Sequence, residues 1–119
     1  MALAATVLIV LVAVLHLWFM VLESFLWTTA FGRRVFKLSE EQAALTAPLA
    51  KNQGLYNAFL SAGLVWSLTS ACGDPLGVQT FFLACVVVAG IVGALTASAG
   101  ILFIQALPGL AALIVVRLA

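Results

Sequence analysis

The chain has 119 residues, 66% of them apolar and 8% charged, with a formal net charge of +1 and a mean hydropathy of +1.28. About a quarter of the residues of a soluble domain carry charge, so this balance excludes an ordinary water-soluble domain and points to the lipid bilayer as solvent. It also excludes nucleic acid as a partner, because the basic stripe that tracks phosphates is missing.

The first apolar run, Leu3 to Trp27, is long enough for a bilayer crossing, which takes about 20 residues. It lacks the basic n-region and the small-residue cleavage site of a secretion signal, so it is expected to stay in the mature chain. Three further runs follow, Asn52 to Cys72, Val78 to Ala97 and Ile101 to Leu118, each apolar around most of its circumference. Backbone groups in hydrocarbon must be satisfied within the segment, and the alternation of a barrel strand is absent, so all four runs are read as helices. The expected fold is all-α, an integral membrane bundle of four antiparallel transmembrane helices forming a single domain over residues 1–119. "CGDPLG" from Cys72 to Gly77 and "SAG" from Ser98 to Gly100 are turn signals between neighbouring helices.

The connection from Thr28 to Lys51 is longer and holds Arg33, Arg34, Lys37 and Lys51, four of the five Lys and Arg residues. Positive charge marks the cytoplasmic side. The expected location is therefore the cell (inner) membrane, multi-pass, with the first loop cytoplasmic and both termini outside; Arg117 alone counts against it. Within this loop Ser39 and Gln42 have capping-box spacing. Leu38, Ala43, Leu45 and Leu49 then give a short amphipathic helix an apolar side that lies on the membrane surface, with Pro48 interrupting it and Arg33 and Arg34 near the headgroups. Cys72 and Cys85 have neither C-x-x-C spacing nor a histidine cluster nearby, so they read as small core hydrophobes. No metal site and no cofactor is expected.

His16 and Glu23 stand in the first run, seven residues apart, which places them on one helix face about 10 Å apart along the axis. A charged carboxylate at that depth costs about 2.5–3.5 kcal/mol, which makes an intramembrane ionisable residue a candidate for function. Asn52 and Tyr56, and beside them Gln53 and Asn57, form two polar stripes at a spacing of four residues. Gln105 precedes the helix-kinking Pro108, and Trp18 and Tyr56 suit the wall of a pocket. The third run offers small residues, "GIVGALTASAG" from Gly90 to Gly100, which let backbones approach closely. Taken singly, Asn52, Gln53, Asn57 and Gln105 are as well explained by hydrogen bonds between helices; their similar depth makes a polar column.

The combination "HLWFMVLESFLWTT", "GRRVF", "NQGLYNAFLSAGL" from Asn52 to Leu64 and "QALPGLAAL" from Gln105 to Leu113 resembles a family of small four-helix membrane proteins catalogued as domain of unknown function 1304. The resemblance covers essentially the whole chain and departs from the family's pattern at Ala30, where a proline is expected. It implies an integral membrane protein and supplies no reaction.

Three functions fit the residues. In the first, an intramembrane pocket binds, and turns over, a lipid-soluble small molecule, with His16 and Glu23 as the acid–base pair and Asn52, Gln53, Tyr56, Asn57, Gln105 and Trp18 as ligand-binding residues. In the second the chain is a proton-coupled small-molecule exporter, a layout shared with small multidrug transporters that work as homodimers. In the third it is a structural or accessory membrane subunit. The expected partners are the lipid bilayer and a lipophilic small molecule.

Overall fold

The computed structural model describes residues 2–97 and 100–119. Among these, every regular element is helical: α1 Ala2–Ser24, α2 Ala30–Phe36, α3 Glu40–Ser67, α4 Pro75–Thr96, a π-helical turn Leu102–Ala106, and α5 Leu107–Leu118. Of the expected "SAG" turn, Ser98 and Ala99 lie outside the described residues. Among the described residues two helices, α1 and α4, are long and apolar enough to cross a membrane, not the four expected. Glu40, Glu41 and Lys51 put charge into the first half of α3, and Leu102–Leu118 is shorter than the about 20 residues of a full crossing.

The chain divides into two compact units, one of residues 1–14 and 60–119, the other of residues 15–59. The first has an apolar core of Ile9, Val12, Leu64, Leu83, Val86 and Ala112 with their neighbours. Here α4 and the chain after it touch through glycine. A Cβ at Gly90 would stand 2.6 Å from the Ala106 backbone nitrogen, and one at Gly109 would stand 2.7 Å from Val86. The small-residue stretch from Gly90 therefore does let backbones approach closely. Before it, the expected turn is present but α4 starts at Pro75 and not at Val78: Asp74 caps it by accepting from the Gly77 N–H at 3.0 Å, with Pro75 in the first turn. The helix α3 ends earlier than expected, at Ser67. The Ser67 and Thr69 hydroxyls donate to the Leu64 and Trp66 carbonyls at 2.6 and 2.8 Å, drawing these acceptors away from the helical ladder.

The π-helical turn has a cause in Pro108. In an α-helix its ring would press on the carbonyl four residues back and its missing N–H would leave that acceptor unpaired. Widening the preceding turn so that the Leu107 N–H reaches the Leu102 carbonyl absorbs the misfit as a π-bulge.

In the second unit α2 occupies a stretch read from the sequence as connection. Thr29 caps it, accepting from the Gly32 N–H at 3.1 Å while its hydroxyl donates to the Leu26 carbonyl at 2.6 Å. Only glycine fits at position 32, since a Cβ there would lie 1.8 Å from the Leu26 carbonyl oxygen. The Ser39–Gln42 capping box forms as expected, with Ser39 N–H donating to Gln42 Oε1 and Gln42 N–H to Ser39 Oγ, both at 3.0 Å. The helix it starts is not the short, proline-interrupted one expected: α3 runs through Pro48 without a break. Ala44, whose carbonyl loses its partner to the proline, and Pro48 itself are both exposed, so the lost bond falls on the outer side of the helix, where it costs least.

Candidate functional site

Within the second unit, α1 and α3 meet at Gly54. A Cβ there would lie 2.1 Å from Ser24 Oγ and 3.3 Å from the Met20 carbonyl, so this glycine selects the face of α3 that approaches α1. Asn57 lies three residues on, hence on the same face, and is buried. Its side-chain N–H₂ donates to Glu23 Oε1 across 34 residues of sequence. A carboxylate and an amide from two helices are thus brought together in a largely apolar stretch. Glu23 is half-buried, while Asn57 is sealed, so the pair has a closed side and an approachable one.

His16 is 1% exposed. It lies two helical turns before Glu23 on the same face of α1, and its ring meets Phe19 edge-on at 5.2 Å. The other expected residues fall elsewhere. Asn52, Gln53 and Tyr56 are exposed, with Tyr56 edge-on to Phe59. Tyr56 is one residue from Asn57, a rotation of about 100°, which turns the Asn52/Tyr56 stripe outward. Trp18 is likewise exposed and packs edge-on against Phe31 of α2. Gln105 is half-buried in the π-helical turn and belongs to the first unit. Of the expected set, the described geometry unites Glu23 with Asn57.

The sequence reading missed Ser61. It is buried in the first unit and donates from Oγ to the Ala13 carbonyl at 2.9 Å, a second polar tie between α1 and α3. The signal was available: Gly54, Asn57, Ser61 and Leu64 recur at three and four residues, the spacing of one helix face. A further tie passes through Trp27, whose indole N–H donates to Thr46 Oγ1 at 3.0 Å, the hydroxyl in turn donating to the Gln42 carbonyl at 2.7 Å.

A family model described as "Protein of unknown function (DUF1304)" matches residues 10–117, and the chain belongs to that family. A relative, the uncharacterized protein YpaA of Lactococcus lactis subsp. lactis (strain IL1403), is 28% identical over 107 residues, which cover 88% of this chain and 89% of the relative. No solved structure matches.

Proposed function

We propose that this member of the DUF1304 family is an integral membrane protein that crosses the bilayer through α1, α3, α4 and the segment Leu102–Leu118. In this reading Glu23 is a proton-exchanging carboxylate that binds a lipid-soluble small molecule, with His16 as its acid–base partner on the same helix face. Exposure supports the membrane. Only 33% of the most apolar stretch of α1 and 17% of that of α4 is buried, whereas the core helix of a soluble protein is covered on most sides. Large side chains such as Val10, Leu17, Phe81, Ile91 and Leu95 stand exposed, an apolar surface that lipid can cover. The basic loop between α1 and α3 is then cytoplasmic by the distribution of positive charge.

The observation that carries the site is the hydrogen bond from Asn57 to Glu23. It fixes one carboxylate oxygen, and the half-exposure of Glu23 leaves the group within reach of a proton or a polar substituent. Such a group, held in apolar surroundings, suits binding or isomerisation of a lipophilic compound by proton transfer. The test is native mass spectrometry of the full chain purified in mild detergent, followed by extraction of whatever small molecule it carries. Loss of the bound molecule in Glu23→Gln, with helical content kept, supports the reading.

One observation favours a second reading, that of a structural subunit: Asn57 meets Glu23 directly and Ser61 ties the same two helices. Glutamine at position 23 can still accept from Asn57. Under that reading the variant therefore behaves as the unchanged protein in every respect.

A further inference from the structure

Outside the carboxylate site, the second unit has an open cleft of about 600 Å³ lined by Ala30, Arg33, Arg34, Lys37 and Leu38. We propose that this cleft binds the phosphate headgroup of an anionic phospholipid. Three of its five lining residues are cationic, in a chain with only five Lys and Arg in all. That charge is poorly compensated. Among the described residues Arg33 meets Glu40 at 3.7 Å, but the Glu40 side chain is 86% exposed, so the contact is loose and screened by water. No ion pair to Arg34 or Lys37 is found among the described residues.

Two further observations bear on the charge around the cleft. The Nε–H of Arg33 is buried without a hydrogen-bond acceptor among the described residues, a donor that folding leaves unsatisfied although most such groups find a partner. Lys37 ends α2 with φ 56°, in the left-handed region where helices usually place glycine. A lysine at that strained position adds a third cation to Arg33 and Arg34. Guanidinium and ammonium groups together suit a phosphate diester, which arginine engages through paired N–H groups and lysine as a point charge.

The same short helix explains why the phosphate belongs to a lipid. Phe31, Val35 and Phe36 are exposed alongside the cationic residues, so the headgroup site is flanked by apolar rings and branches that acyl chains can cover. Free phosphate has no use for them. The assignment shares the membrane reading given above but does not depend on Glu23.

The experiment compares retention of phosphatidylglycerol and phosphatidylcholine by the full chain in detergent, read by native mass spectrometry at equal lipid fractions. Phosphatidylglycerol is expected to be held preferentially. Each cation near an anionic headgroup contributes about five-fold, so Arg34→Gln with Lys37→Gln is expected to lower retention by about 25-fold at unchanged helical content. Lys37→Gly relieves the backbone strain and removes one charge, so it is expected to fold at least as well and still lose about five-fold. Glu23→Gln is expected to leave lipid retention unchanged, which separates this site from the proposed carboxylate site. Equal retention of phosphatidylcholine, or full retention in both charge variants, overturns the proposal. Displacement of the lipid by millimolar inorganic phosphate overturns the lipid assignment.

Discussion

The helices α1 and α3 pass through both compact units, yet each unit ties them together by different chemistry. In the unit of residues 1–14 and 60–119 the contact is apolar, with Ile9, Val12 and Ala13 of α1 packed in one cluster with Leu64 of α3; Ser61 adds a single hydroxyl tie. In the unit of residues 15–59 the same two helices are joined by Glu23 and Asn57, beside Gly54. The hydrogen bonds of Trp27 with Thr46 and of Ser39 with Gln42 fall there as well. The difference separates two tasks. Close packing of small and branched residues secures helices without offering chemistry, whereas polar contacts in an apolar chain are costly to place and serve where a group must be held in one orientation.

Substitutions in each unit can break this contrast, and the largest effect is expected in the apolar one. Gly90→Ala places a Cβ 2.6 Å from the Ala106 backbone nitrogen, which no side-chain rotation relieves. A loss of about 3 kcal/mol is expected, the upper range for overpacking, measured by unfolding in mild detergent; ligand retention per folded chain stays unchanged. Next is Asn57→Ala, which leaves the Glu23 carboxylate without its donor. Removing a hydrogen bond to a charged group is expected to cost about 2 kcal/mol, and here ligand retention falls with stability. Gly54→Ala sharpens the comparison of the two glycines. Its new Cβ meets the Ser24 hydroxyl at 2.1 Å, the mobile end of a short side chain, so the expected cost is about 1 kcal/mol; a loss as large as that of Gly90→Ala would show the two contacts to be equally rigid. The smallest effect is that of Ser39→Ala, about 0.5 kcal/mol at this exposed cap, read as a slight drop in unfolding midpoint.

Local signals in the sequence were legible where one short motif decides the outcome. Ser39 with Gln42 announced a helix start, Gly73 with Asp74 and Pro75 a turn between helices, and Gly90 a close approach; each depends on neighbours within a turn or on backbone size alone. Long-range outcomes were harder to read. That Asn57 and not Asn52, Gln53 or Tyr56 meets Glu23 is decided by which face of α3 turns inward, and Gly54 sets that face through a packing contact 30 residues away in sequence. The continuity of α3 through Pro48 was hidden for a related reason. A proline's cost depends on whether the carbonyl it orphans is exposed, and that exposure follows from tertiary structure. Thr29, Gly32 and the αL residue Lys37 frame α2 in hindsight, but seven residues are too few for periodicity to stand out.

The central claim is that Glu23 is held by Asn57 for chemistry, not only to join two helices. It is tested most directly by native mass spectrometry of the unchanged chain beside Glu23→Gln, counting bound lipophilic molecule other than phospholipid per folded chain. The account predicts retention in the variant of roughly a tenth or less of the original, equivalent to about 1.4 kcal/mol or more of lost binding, with helical content and unfolding midpoint nearly unchanged. Equal retention in the two proteins, or no bound molecule in either, would contradict it and leave Glu23 as a tie between helices.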